Sequence, residues 1–209
     1  MTKVKFCGLS RIDDIIAAND LEPDYIGFVF AKGSNRQVSF DAACRLKTAL
    51  SQNIKSVGVF VNEEVKKTAN IANDGVIDII QLHGDEDGEY IRSLRRLTDK
   101  PIIQAIILTD ELSVEKANDS LADFVLLDAG RGEGRTFDWE LAKKITRSYF
   151  LAGGLNEKNV AEAITKLNPY AVDVSGGIET NGKKDHAKMK SFLRVVNDIP
   201  DNVWRKESK

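Results

Sequence analysis

The chain has 209 residues, 42% hydrophobic and 30% charged, a composition typical of a globular protein with a sizeable core. Its 30 basic and 32 acidic side chains give a formal net charge of −2, which gives no reason to expect nucleic acid or an anionic membrane as a partner. Two cysteines do not make a disulfide framework, and the sequence contains no signal-peptide core or membrane-length apolar run, so we expect a cytoplasmic protein.

Short runs of β-type residues recur along the chain about every 24 residues, enough for one βα unit each. Most of these runs are apolar without alternation, which is typical of strands buried on both faces of a parallel sheet. The pattern therefore predicts eight βα units. The predicted strands cover residues 3–7, 25–30, 55–61, 77–81, 101–107, 123–128, 148–152 and 170–174.

Helices are predicted between the strands, because apolar residues there recur at intervals of three and four. Ile12, Ile15 and Ile16 follow this spacing in the first such segment, and residues 160–167 follow it in a later one. Residues that favour helix N-caps predict several helix starts. These are Ser10 before 11–19, Asp41 before 42–51, Asn62 ahead of Glu63-Glu64, and Asn156 ahead of Glu157.

Eight βα units predict a single-domain α/β fold, a (β/α)8 TIM barrel over residues 1–200 with a polar tail at 201–209. A doubly wound open sheet is the alternative, but it usually carries a glycine-rich fingerprint after its first strand. The segment at 7–11, CGLSR, is not such a fingerprint, and no linker divides the chain. We therefore expect the barrel, with chemistry on the loops that follow its strands.

Glycine-rich turns follow the last two predicted strands, with Gly153 and Gly154 after the seventh and Ser175, Gly176 and Gly177 after the eighth. Glycine lets backbone N–H groups approach an anion closely. Paired turns after strands seven and eight form the phosphate site of many barrels. We predict that these five residues bind phosphate; ordinary tight turns with positive φ are the alternative.

Short motifs in a fixed order give the chain a specific resemblance. They are KFCGL at 5–9, IGFVF at 26–30, SNRQVS at 34–39, VGVFVN at 57–62, QLHGDE at 81–86, LLD at 126–128, FDW at 137–139, LAGGL at 151–155, DVSGGIE at 173–179 and GKKD at 182–185. With this set the chain resembles the phosphoribosylanthranilate isomerases of tryptophan biosynthesis. The resemblance implies an Amadori rearrangement of N-(5-phosphoribosyl)anthranilate to 1-(2-carboxyphenylamino)-1-deoxyribulose 5-phosphate, with no metal and no cofactor.

The resemblance also assigns the two proton-transfer groups, Cys7 as general base and Asp128 as general acid. The acid opens the sugar ring at its oxygen, and the base then removes the C2′ proton. Free thiols and free aspartic acids have pKa values near ~8.5 and ~3.9, so we expect the site to lower the pKa of Cys7 and raise that of Asp128. A buried apolar thiol and a loop-capping carboxylate are the structural alternatives.

Three further residues are candidate substrate contacts. Arg36 can bind the anthranilate carboxylate through two parallel hydrogen bonds, and a solvated loop arginine is the alternative. His83 lines the pocket or is only a rim residue, and Asp173 accepts a sugar hydroxyl or holds its loop. We expect His186 and Cys44 to be structural residues on outer helices. The expected partner is a phosphorylated small molecule, bound by a monomer or a homodimer.

Two stretches depart from the family pattern. The loop AGRGEGRT at 129–136 is shorter than usual, and the turn at 175–177 has one serine where two are usual.

Three other functions are alternatives to the isomerase. A pentulose-phosphate epimerase would show metal-binding histidines and aspartates at its strand ends, whereas this chain has two histidines in all. An indoleglycerol-phosphate synthase would need lysines at strand ends beyond Lys5 and Lys32. A non-catalytic phosphate-binding barrel would not need both Cys7 and Asp128.

Overall fold

The structure of the protein is a computed structural model that describes residues 1–128 and 139–200. Among these residues, eight parallel strands close into a barrel in which the last strand pairs with the first. The predicted (β/α)8 barrel is therefore confirmed, with each strand lying within two residues of its predicted bounds. The strands are β1 Lys3–Cys7, β2 Tyr25–Val29, β3 Lys55–Phe60, β4 Ile79–Leu82, β5 Ile102–Ile107, β6 Phe124–Asp128, β7 Tyr149–Ala152 and β8 Ala171–Val174.

Helices cover the outside of the barrel and follow the strands in turn. Between β8 and the last helix lie a 3₁₀ turn, Gly176–Ile178, and a two-stranded ribbon of β9 (Glu179–Thr180) and β10 (Lys183–Lys184). None of the helices in the described ranges combines the length and the apolar character needed to cross a membrane. The helices are α1 Ile12–Leu21, α2 Phe40–Ala49, α3 Val65–Asn73, α4 Gly88–Arg95, α5 Glu111–Asn118, α6 Trp139–Ala142, α7 Val160–Leu167 and α8 His186–Asn197.

The helix starts predicted from capping residues were wrong in position. The Ser39 hydroxyl accepts a hydrogen bond from the backbone N–H of Ala42, so α2 begins before Asp41. The side chain of Asn62 instead accepts from the N–H of Asp85 on another loop. At Asn62, a long-range contact therefore takes the place of local capping. The observed N-caps are Arg11, Ser39, Glu64 and Asn159, in place of Ser10, Asp41, Asn62 and Asn156.

Apolar side chains form two cores, a larger one between the strands and the helices and a smaller one inside the barrel. Side chains two residues apart on a strand share a face, so Leu126 in the inner core places Asp128 on the inner face as well. By the same alternation, Cys7 shares its face with Lys5. The strand pattern therefore turns both candidate catalytic residues towards the barrel axis. The inner core consists of Tyr25, Val57, Ile79, Ile103, Leu126, Phe150, Ala152 and Ala171.

Candidate active site

Cys7 ends β1 at the rim of the barrel and is partly buried. Two residues earlier, the fully buried ammonium of Lys5 donates to both carboxylate oxygens of Asp173 on β8, each at 3.0 Å. On the neighbouring strand, a Cβ added to Gly27 would lie 2.8 Å from Cys7 Sγ and 3.3 Å from Lys5 Nζ. A glycine is therefore needed where the thiol and the ammonium lie next to each other.

The electrostatics around Cys7 differ from the expectation. Burial raises the pKa of the Cys7 thiol; the positive charges of Lys5 and Lys184 lower it, and the charge of Asp173 raises it further. The expected lowering of this pKa is therefore wrong, because loss of solvation outweighs both cations. The pKa of Lys5 is itself raised: burial opposes its charge, but Asp173 and Cys7 more than offset that cost.

Arg36 lies on the loop after β2 and crosses the backbone just beyond Cys7. Gly8 has φ +81°, and a Cβ at that position would collide with Arg36 Cδ. The guanidinium donates from Nε to Glu179 Oε1 at 2.6 Å and from Nη2 to Glu179 Oε2 at 2.7 Å. The structure therefore brings Arg36 to the Cys7 side of the rim and gives it a carboxylate partner that the sequence analysis did not name.

Glu179 has a second cation at the same carboxylate. Lys184 Nζ donates to Glu179 Oε1 at 2.6 Å, and the Lys184 side chain is only 2% exposed. Burial alone would raise the pKa of Glu179, but hydrogen bonds from Arg36 and Lys184 lower it to about 2. Glu179 is therefore ionised at neutral pH, and Arg36, Glu179 and Lys184 form one charged cluster.

The two glycine-rich turns lie against each other at the same rim. Gly153 and Gly154, after β7, have φ values of 90° and 67°. A Cβ on Gly177, after β8, would collide with the carbonyl oxygen of Leu155. Ser175 joins this pair of turns to β1, because its hydroxyl donates to the carbonyl oxygen of Cys7 at 2.9 Å. The predicted phosphate residues are thus neighbours at one rim of the barrel.

Asp128 ends β6, and His83 lies just after β4. His83 Nε2 is 3.3 Å from Asp128 Oδ2, and Gln81 Nε2 is 2.9 Å from His83 Nδ1. Within residues 1–128 and 139–200, Gln81 Oε1 is the buried side-chain oxygen without a hydrogen-bond partner. With the Gln81 amide donating to Nδ1, the proton of a neutral His83 lies on Nε2 and points at Asp128. His83 therefore contacts the candidate acid directly.

The sequence did not identify four residues as part of the site, although all of them lie within the quoted motifs. They are Lys5, Gln81, Glu179 and Lys184. For Lys5 and Gln81 a signal was present, because each precedes a candidate residue by two positions and so shares its face. Glu179 and Lys184 lie beyond β8, where no strand periodicity points to the site. Part of one quoted motif, FDW, and the loop at 129–136 lie outside the described residues, as does the tail at 201–209.

The remaining assignments concern the periphery. Cys44 lies partly buried on α2, and His186 Nε2 is 3.0 Å from Asp20 Oδ2 on the exposed surface. Both lie on outer helices, as expected. In the described ranges, no three histidine, cysteine, aspartate or glutamate side chains are grouped so that they could hold a metal ion.

Comparisons with known proteins place this geometry in context. The family model described as N-(5'-phosphoribosyl)anthranilate (PRA) isomerase matches residues 4–195. The N-(5'-phosphoribosyl)anthranilate isomerase of Thermoanaerobacter sp. (strain X514) is 47% identical over 206 residues, covering 95% of this chain and 100% of the relative.

Solved structures are similar to this chain over nearly its whole length. The crystal structure of phosphoribosyl anthranilate isomerase from Thermotoga maritima has a TM-score of 0.86 at 36% identity and covers 95% of this chain and 100% of its own. A crystal structure of phosphoribosyl anthranilate isomerase in complex with reduced 1-(o-carboxyphenylamino)-1-deoxyribulose 5-phosphate has a TM-score of 0.84 at 35% identity, with the same coverage.

Proposed function

Because this chain belongs to the N-(5'-phosphoribosyl)anthranilate isomerase family, we propose that it catalyses the Amadori rearrangement with Cys7 as general base and Asp128 as general acid. Family membership makes it an isomerase of tryptophan biosynthesis that acts on a ribose-phosphate substrate.

One observation supports this assignment above the others. In barrel order, β7 and β8 lie between β6, which carries Asp128, and β1, which carries Cys7. The glycine turns that we propose for phosphate binding follow β7 and β8. A sugar whose phosphate is bound there would have the acid on one side and the base on the other.

Asp128 acts first in this mechanism. Its protonated carboxyl gives a proton to the ring oxygen, and the bond between C1′ and that oxygen breaks. The lone pair of the anilino nitrogen forms a double bond to C1′, so the product of this step is an open-chain protonated Schiff base. His83, which contacts Asp128 Oδ2, orients the carboxyl group for the transfer.

Cys7 acts second, as the thiolate. It takes the C2′ proton, the C–H electron pair forms a C1′=C2′ double bond, and the iminium nitrogen becomes neutral. The resulting enolamine loses its hydroxyl proton and gains a proton at C1′ to give the ketose. The positive charges of Lys5 and Lys184 favour the thiolate and so oppose the effect of burial.

The remaining candidates bind the substrate. Arg36 lies next to the Cys7 end of β1 and binds the anthranilate carboxylate, while the two turns bind the phosphate through backbone N–H groups. Asp173 accepts a sugar hydroxyl with the acceptor positions that Lys5 does not use. We expect this chain to bind reduced 1-(o-carboxyphenylamino)-1-deoxyribulose 5-phosphate, here called the reduced product analogue, as the relative does.

The test is the loss of anthranilate-type fluorescence when freshly made phosphoribosylanthranilate is mixed with the protein. We expect Cys7→Ala and Asp128→Asn each to lower kcat by a factor of roughly 10² to 10⁴, the usual contribution of one acid or base. Cys44→Ala removes the other thiol and should keep wild-type activity. An inactive wild type would overturn the function, whereas equal activity of all variants would overturn only the mechanism.

A further inference from the structure

Glu179 has no part in the proton transfers proposed above, yet two cationic side chains bind its carboxylate through three hydrogen bonds. Its Oε1 accepts from Arg36 Nε and from Lys184 Nζ, both at 2.6 Å, and its Oε2 accepts from Arg36 Nη2 at 2.7 Å. Its side chain is only 9% exposed. Such a site fixes the carboxylate in one position, so the groups bonded to it are fixed as well.

Glu179 occupies one particular edge of Arg36. The guanidinium has five N–H donors in one plane, and Nε–H together with one hydrogen of Nη2 forms its side edge. That is the edge Glu179 takes. The end edge carries one hydrogen from each terminal nitrogen and is the second arrangement that fits a carboxylate through two parallel bonds. Within the described part of the chain, the side-chain donors of Arg36 bond only to Glu179.

The cluster is also tied to the turn after β8. Lys184 Nζ donates to the carbonyl oxygen and to the hydroxyl of Ser175, each at 3.1 Å. Ser175 in turn donates to the carbonyl oxygen of Cys7. The direction of Arg36 is therefore set relative to both the proposed phosphate turn and the strand end that carries the proposed base.

We propose that Glu179 is a positioning residue that makes the site specific for a substrate bearing an aryl carboxylate. It holds the side edge of Arg36, so the end edge is presented to the carboxylate at a fixed distance from the phosphate turn. Binding then costs little ordering of the arginine side chain. Without the charge of Glu179, Arg36 and Lys184 would be neighbouring cations with nothing between them. The proposal rests on the proposed function, in which Arg36 binds the substrate carboxylate.

The test compares two ligands that differ in one group. The first is the reduced product analogue, and the second is the same molecule with hydrogen in place of the aryl carboxylate. Dissociation constants are measured by calorimetry for wild type and for Glu179→Gln. We expect the substitution to weaken the carboxylated ligand by about tenfold or more, as for loss of a charge-assisted contact, and the second ligand by less than about twofold.

Two further variants make the result specific. Glu179→Asp keeps the charge but shortens the side chain, and should show a smaller version of the same selective loss. Asp78→Asn removes a partly buried carboxylate that accepts from Lys47 at 2.7 Å at the opposite end of the barrel. It should leave the affinity for both ligands unchanged. Urea unfolding of each variant establishes that it is folded before its binding is measured.

The outcomes separate the two proposals. Equal weakening of both ligands by Glu179→Gln would make Glu179 a merely structural residue and overturn the inference. Unchanged binding of both would show that Arg36 keeps its direction without Glu179, with the same consequence. A wild type that binds both ligands equally would overturn the carboxylate role of Arg36 itself, and the inference with it.

Discussion

The two sides of the site use different chemistry to hold their candidate catalytic residues. On the Cys7 side, ammonium and guanidinium groups meet carboxylates at 2.6 to 3.0 Å. On the Asp128 side, an amide and an imidazole supply contacts of 2.9 and 3.3 Å. One side is built from permanent charges, and the other includes groups whose donor and acceptor roles can be exchanged.

This difference matches the work proposed for each side. Lys5, Arg36 and Glu179 keep their charges near neutral pH, so they provide a constant field for the base and for a negatively charged substrate. An acid must lose and regain a proton in every turnover. A histidine neighbour can follow that change, because either ring nitrogen can carry its proton.

The largest expected effect is on stability and concerns the Cys7 side. Lys5→Met leaves the carboxylate of Asp173 buried without its cation, and removing one partner of a buried pair costs about 3–5 kcal/mol. Urea unfolding at pH 7.5 measures this loss. Adding Asp173→Asn to the same chain should restore a substantial part of it, because the uncompensated charge is then gone.

The matched control for this variant is Lys143→Met, which breaks a solvent-exposed ion pair with Glu140. Pairs of that kind are worth about 0–1 kcal/mol, so the free energy of unfolding should change by no more than this. If Lys5→Met cost as little as the control, the Cys7 side would not be the more strongly fixed side of the site.

An intermediate effect is expected from the Cys7 thiol at alkaline pH. Its raised pKa means that the folded protein holds this proton more tightly than the unfolded chain does. The resulting stability is present below the ordinary thiol pKa and is lost as the pH rises through the folded-state pKa. Between pH 8 and pH 10.5, Cys44→Ser should therefore lose more free energy of unfolding than Cys7→Ala/Cys44→Ser, which lacks the group.

The same titration should be visible in catalysis. If the thiolate is the base, kcat/KM rises with pH until the thiol is ionised, and the raised pKa moves that limit upwards.

The stability measurement also has an outcome that contradicts the prediction. If the free energies of unfolding of Cys44→Ser and Cys7→Ala/Cys44→Ser changed in parallel with pH, the thiol pKa would be the same in the folded and unfolded states. Burial would then not control the charge of Cys7.

The sequence predicted the local elements that form the site, but not the long-range contacts within it. The strands and the inner face were predictable, because apolar runs and period-two alternation are local signals. The pairing of Arg36 with Glu179 joins residues 143 positions apart, and no local pattern points to it. The direction of the Cys7 pKa was also beyond the sequence, because it depends on how far burial outweighs the charges of Lys5 and Lys184.

The smallest expected effect on stability is on the Asp128 side. Gln81→Leu removes one hydrogen bond to His83 but also removes a buried oxygen that has no partner among the described residues. The two consequences oppose each other, so we expect the free energy of unfolding to change by less than about 1 kcal/mol. Urea unfolding under the conditions used for Lys5→Met provides the comparison.

Catalysis should respond more than stability does to the same substitution. When Asp128 is ionised, His83 donates to it from Nε2 and accepts at Nδ1 from the Gln81 amide. When Asp128 carries its proton, the pattern can reverse, with Nδ1 donating to Gln81 Oε1 once the amide has turned. The buried oxygen is then the acceptor that the protonated form needs, which gives a reason for an amide at this position.

We therefore expect Gln81→Leu to lower kcat by about tenfold with little change in KM, because the ligand contacts stay in place while the proton is less well directed. Gln81→Met, of similar length but without donor or acceptor, should behave in the same way. A fall in kcat confined to Gln81→Leu would make side-chain shape the cause. A loss of stability as large as that of Lys5→Met would show that the Asp128 side is held as strongly as the Cys7 side.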